Sequence, residues 1–504
     1  MRVWLAPQDS ISDTEIDRGL AMLLWDGTFA QVMAVLTTGA FLVGFALALD
    51  ASNTLIGLLA AIAPFLQTLQ LPSIYLIERL RARKAITVSA FAASRLVLLA
   101  IAVLPVVASR RLALPLFLML LAGHHGLAAL GNCALNSWIR DLIPPERVER
   151  FFARRLASAT LVGAVLSFAG GMSIDILKSR LPQGETTAYS VLFAAGSVAG
   201  LISVFALSRM PEPVMPSTGR FSLRALIAEP IRDLNFRNLL IFLAAWSFAV
   251  NFAAPFFAVY LLSRLGIRMT WVLVLSVLSQ MFNVLFFNVW GRLAERFSNK
   301  SVLLLTVPLF FVTFLMWPFT TLPDPHLLTF PILIAIHILA GISAAGVGLC
   351  AGHLALKSAP YGKGAADLAV TALVSGAAAT VAPILAGLAA DGFSRYEARL
   401  TLSLLNLPDR ETLFEFPTLD LRGMDFLFVL AFIFGMYSLH RLLAVKEEGE
   451  VTEKVLREAI VTEARRAIRQ ISTVAGVRSL LMFPYAQLQV LARRVGGTPE
   501  QTPN

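Results

Sequence analysis

The chain has 504 residues, of which 57% are hydrophobic and only 15% charged, and its mean hydropathy is +0.73. A soluble protein of this composition could not cover its apolar surface, so a set of two or three water-soluble domains is excluded. The formal charge of +10 does not point to nucleic acid, because the Lys and Arg sit in short clusters between apolar runs rather than along one basic face.

In chain order, residues 1–21 carry Asp9, Asp13, Glu15, Asp17 and Arg18 without an apolar signal-peptide core, so the first long apolar run is expected to be retained. A criterion of about 20 apolar residues per crossing predicts spans 1 to 6 near 22–49, 53–78, 84–107, 113–139, 152–177 and 187–208. Spans 7 to 12 follow near 238–263, 269–295, 300–320, 327–356, 364–391 and 424–445. The expected fold class is therefore all-α integral membrane, with twelve transmembrane helices in two six-helix repeats. The halves are 22–208 and 238–445, and a linker rich in Pro and basic residues, 209–237, joins them. The tail, 446–504, turns polar and then amphipathic, which suits a helix on the anionic cytoplasmic leaflet or docked on the protein's own cytoplasmic face. Cys133 and Cys350 fall inside apolar runs and read as buried residues rather than a disulfide or a metal site.

The loops after spans 2, 4, 6, 8 and 10 carry about twice the Lys and Arg of the opposite loops, including Arg79, Arg81, Arg83 and Arg147. Short basic loops stay cytoplasmic, so both termini are expected in the cytoplasm of a cell membrane, plasma or inner. A single offset lays Pro115 on Pro331, Pro144 on Pro360, Gly171 on Gly387, Asp175 on Asp391 and Lys84 on Lys300. Two parallel copies of six helices are a recurrent carrier architecture with a site between the halves.

The stretch GRLAERFSNK, Gly291 to Lys300, resembles the signature loop of the major facilitator superfamily. A degraded copy, IYLIERLRARK, runs from Ile74 to Lys84, with Ile74 in place of the Gly and Arg81 in place of the small residue. The resemblance implies that Glu78–Arg79 and Gly291, Glu295 and Arg296 form gating loops, with the acid against the N-terminus of a neighbouring helix. A generic basic loop is the competing reading. Two patterns of the superfamily's drug–proton antiporters are missing: Ala122 stands where span 4 would carry an Arg, and Leu166–Ser167 precedes Gly170–Gly171 where span 5 would carry Gly-Pro.

Polar groups at membrane depth are costly unless paired or wetted, so they are the site candidates. Span 1 offers Asp26 and Gln31. Arg95, near the middle of span 3, is an intramembrane charge that pairs with Asp26, snorkels, or is satisfied by Gln67 and Gln70. The resemblance implies that spans 1, 4, 7 and 10 line the cavity. Span 4 brings His124 and His125, of which only one can face it squarely, with Asn132 and Asn136 one turn apart. Trp246 and Asn251 on span 7, Gln280 and Asn283 on span 8 and His337 on span 10 complete the candidates, each equally able to act as packing. A titrating His would make the proton a coupling ion. Asp175 and Asp391 read as paired structural ends. No catalytic constellation, cofactor motif or metal-ligand spacing stands out. The expected function is a secondary active or facilitative permease that moves a small organic solute by alternating access, with membrane lipid as its surroundings. Efflux of amphipathic drugs or lipids, and a transport-inactive sensor or assembly partner, are the alternatives; oligomeric state is open.

Overall fold

A computed structural model describes residues 7–447 except Ser10, 145–146, 181–183, 216–232, 322–323, 358–363 and 406–411. Most of the expected linker and nearly all of the expected tail lie outside the described residues. Among those described, eleven helices are long and apolar enough to cross a membrane, or twelve if one bent pair is a single span.

Span 1 is Asp13–Thr37 followed by Gly39–Ala48. Its start is fixed by a capping box between Ser12 and Glu15, and its break by Gly39, whose φ of +58° only glycine adopts without strain. Span 2 is the bent pair, Asn53–Gln67 and Gln70–Leu80, meeting at 43°. Pro72 lies just past the bend and has no N–H for the preceding turn, which accounts for the break. The first half continues with Arg83–Val107, Arg110–Leu142, Val148–Arg180 and Gly184–Ser208 as spans 3 to 6. Span 7, Leu234–Val259, starts where the Asp233 side chain accepts from the amide of Phe236 (2.7 Å) and ends in a π-turn over Tyr260–Arg264. Met269–Phe297, Asn299–Met316, Thr329–Lys357, Gly364–Phe393 and Asp425–Leu443 are spans 8 to 12.

One element departs from the sequence expectation. Between spans 11 and 12 the chain forms an antiparallel hairpin, β1 (Glu397–Leu405) with β2 (Thr412–Arg422), paired from Glu397 opposite Arg422. Its base is tied by Arg399 and Arg422 to Glu397 and to the buried Asp420, and the amide of Arg422 donates to Asp425 in the first turn of span 12 (2.9 Å). The alternation LTLSLL at 400–405 fits a strand, but a search for apolar runs long enough to cross a membrane passes over it.

Within each half the helices pack through aromatic and small residues, as expected where lipid leaves no hydrophobic drive between helices. Phe45, Phe117, Tyr189 and Phe193 cluster in the first half, and Phe257, Trp317 and Phe428 stack in the second. Spans 3, 4, 6, 9, 10 and 12 pack on helices of their own half, whereas span 11 packs on span 2 as much as on its own half and span 5 packs on span 8 as well as on spans 1 and 6. Those are the two main contacts between the halves.

Candidate functional site

The face where span 1 begins and span 12 ends is the terminal face; the other is distal. At the distal face the halves are clamped twice. Asp391, near the end of span 11, accepts from the amides of Asn53 (3.2 Å) and Thr54 (2.9 Å) and from the Thr54 hydroxyl (2.6 Å), at the first turn of span 2. Asp175, on span 5, accepts from the amides of Met269 and Thr270 (3.0 Å each) and from the Thr270 hydroxyl, at the first turn of span 8. A carboxylate on exposed helix N–H groups completes donors the helix cannot satisfy and meets the positive end of its dipole. Thr54 and Thr270 stand at the same offset as Asp175 and Asp391, so each clamp is the repeat image of the other.

A glycine one turn before each acid makes the approach possible. A Cβ on Gly387 would lie 2.6 Å from the carbonyl oxygen of Asn53, and one on Gly171 3.0 Å from the Cα of Thr270. The aligned pairs Gly171/Gly387 and Asp175/Asp391 record where the halves touch. A cleft of about 900 Å³ lies beside the Asp175 clamp, but its acids are engaged, Asp175 by span 8 and Glu185 by Lys178 (2.8 Å).

At the terminal face two further acids cap helices within their own halves. Glu212 accepts from the amides of Arg83 (2.7 Å) and Lys84 (3.1 Å), and Glu447 from the amide of Lys300 and the side chain of Asn299 (2.7 and 2.8 Å). Arg83 also binds Asp141 and donates to the carbonyl of Pro213. Burial pushes the Glu212 carboxyl up against the pull of these amides, whereas around Glu447 the hydrogen bonds outweigh burial and hold it low. The sequence reading missed both acids, because the hairpin shifts Glu447 out of the common offset. The gating loops end beside these caps. Glu295 and Arg296 are exposed, with Arg296 over the Phe297 ring (5.1 Å), Gly291 and Glu78 are half-buried and Arg79 is exposed.

Inside the first half, Asp26 is buried and accepts from Ser203 on span 6 (2.7 Å) and from Arg155 on span 5 (3.2 Å). Its ion-pair partner is thus Arg155; Arg95 lies close enough to interact with Asp26 electrostatically but donates to Ser94 (3.0 Å) and covers the Phe91 ring (4.6 Å). Ser94 in turn meets Nδ1 of the buried His124 (2.9 Å), so His124 is held between spans 3 and 4, while His125 is half-buried with its ring 5.1 Å away. Asn132 and Asn136 are exposed, and Gln31 is half-buried against Gly163 of span 5.

In the second half Gln280 is exposed and Asn283 half-buried. Trp246 packs 5.0 Å from both Phe310 and Phe311, Asn251 donates to the carbonyl of Ser247 (2.8 Å), and Nδ1 of His337 meets the carbonyl of Leu333 (2.8 Å). These three groups are occupied by their own half. No group of three or more His, Cys, Asp or Glu suited to a metal occurs among the described residues.

Residues 24–383 match the profile of the Major Facilitator Superfamily. The fold is shared by solved structures at low identity. A mutant of the nucleoside transporter NupG is 12% identical, with a TM-score of 0.66, over 85% of this chain and 100% of that one. A bacterial homologue of the iron transporter ferroportin, inward-facing, is 13% identical with a TM-score of 0.62, over 87% and 100%. A POT family transporter in complex with 5-aminolevulinic acid is 12% identical with a TM-score of 0.59, over 85% and 97%. No curated protein matches by sequence. The chain belongs to the major facilitator superfamily and is a multi-pass membrane transporter.

Proposed function

We propose that this member of the major facilitator superfamily is a secondary carrier that moves a small organic solute by alternating access, in a cell membrane with both termini cytoplasmic. The observation that carries the reading is the pair of distal clamps. Asp175 and Asp391 join the halves through a few hydrogen bonds each, contacts that water can replace when the halves rock apart. With the terminal face cytoplasmic, as the loop charges favour, the outer side is the closed one and the carrier is poised to exchange solute with the cytoplasm. Glu78 and Glu295 then act in the opposite state, when the terminal face closes.

Fold does not choose the solute, and the neighbours, a nucleoside transporter, a homologue of an iron transporter and a POT family transporter in complex with 5-aminolevulinic acid, illustrate this. Purified protein in proteoliposomes tests the reading. Saturable uptake with accelerated counterflow is expected for at least one organic solute. Folded protein that moves none of a broad panel, with or without an ion gradient, would leave the sensor reading in its place.

A further inference from the structure

Span 1 has one open face near the terminal side. Asp26 and Met33 are turned to span 6, through Ser203 and Gly200, and Gly27 and Gln31 to span 5, through Arg155 and Gly163. With about 100° between residues, the face left over carries Leu24, Trp25, Thr28 and Phe29. Together with Arg154 and Ser158 of span 5 they line a groove of about 480 Å³. Trp25 is 57% exposed, and its ring lies on that of Phe29 at 5.6 Å and 15°, forming a flat apolar shelf. Arg154 is exposed and has no carboxylate within 4.0 Å among the described residues.

Arg154 is the one basic group that lines this groove among the described residues, and Asp26, on the inner side of span 1, is already held by Arg155 and Ser203. An exposed guanidinium beside an aromatic shelf suits a planar anion.

We propose that the groove between spans 1 and 5 binds a small organic anion, its carboxylate or phosphate on Arg154 and its planar body on the Trp25–Phe29 shelf. The hydroxyls of Thr28 and Ser158 flank it. The proposal deepens the carrier reading by naming an anionic, partly apolar solute, and it rests on that reading only for the claim that the bound anion is cargo. A flat ring gains more from a stacked aromatic pair than an acyl chain does, which favours a solute over an anionic lipid.

Full-length protein in phosphatidylcholine nanodiscs, titrated with naphthoate and with the neutral naphthalenemethanol, tests the site by equilibrium dialysis. Naphthoate should bind saturably and the alcohol much more weakly. Arg154→Gln should weaken naphthoate by roughly ten- to a hundredfold, and Trp25→Leu should weaken it too. Arg111→Gln, an exposed arginine at the far end of span 4, should leave it unchanged. Equal binding by the wild type and both groove variants overturns the proposal. So does loss of naphthoate binding in phosphatidylglycerol nanodiscs with restoration in phosphatidylcholine, which would make the groove a lipid site. Binding of naphthoate with no flux of any organic anion would keep the site and count against the carrier reading, so the two can fail separately.

Discussion

Oδ2 of Asp391 accepts both the amide (2.9 Å) and the hydroxyl (2.6 Å) of Thr54, two residues that lie in different halves of the molecule. The contact is repeated by Asp175 and Thr270. Because the two clamps are repeat images at the same face, they are expected to act in parallel. Two weak latches suit a carrier better than one strong latch: each contributes about as much as a helix cap, and the sum stays within reach of solute binding energy.

Asp391→Asn or Asp175→Asn should therefore shift the balance toward the form open at the distal face, by about 1 kcal/mol each, the usual worth of a capping side chain. That is roughly a fivefold change in population, and the double variant should exceed either single one. Distances between spin labels on the distal ends of spans 5 and 8 report it. Unchanged distance distributions in the double variant would reduce the clamps to passive contacts.

Orientation can be checked independently. Single cysteines at Arg81 and Arg296 should be labelled only from the cytoplasmic side, and one at Arg399 on the hairpin only from outside. The reverse pattern would exchange inward and outward throughout the proposed cycle.

The helices were legible because a bilayer demands long apolar runs with every backbone group satisfied internally; the breaks in spans 1 and 2, at Gly39 and just before Pro72, were not, since the apolar run continues through both. The hairpin was not, since strand alternation is weak beside such runs. Of the site, the repeat offset pointed to Asp175 and Asp391, but sequence spacing cannot show that an acid on span 11 lands on the first turn of span 2. The partner of Asp26 was missed for a similar reason. Arg155 and Arg95 are the same residue type in the sequence, and only the packing of span 5 on Gly27, where a Cβ would meet the Arg155 side chain, decides between them.

Acid should weaken the second half through Glu447. Burial pushes this carboxyl up, but the amide of Lys300, the side chain of Asn299 and Lys357 outweigh it and hold it below the ordinary glutamate range. A folded value below the unfolded one means stability that is complete above the unfolded value, near 4.5, and is lost as the pH falls through the folded one. Thermal unfolding from neutral pH down through this range should drop more steeply for the wild type than for Glu447→Gln. Parallel curves would show that the cap is not coupled to unfolding.

The histidine pair allows a sharper test of coupling. His124 is buried, with Nδ1 engaged by both the hydroxyl and the carbonyl of Ser94 (2.9 and 3.0 Å), so its ring is held between spans 3 and 4. His125 is half-buried and free of that constraint. If a proton drives the cycle through span 4, uptake should follow a proton gradient. That dependence should survive His124→Gln and vanish in His125→Gln, with both variants still able to exchange solute by counterflow, since glutamine keeps a hydrogen-bonding side chain in place. Loss in His124→Gln alone would reverse the assignment. Uptake by the unmodified protein that ignores the proton gradient would remove the histidines from the mechanism and leave facilitated diffusion, or another ion, to set the direction of flux.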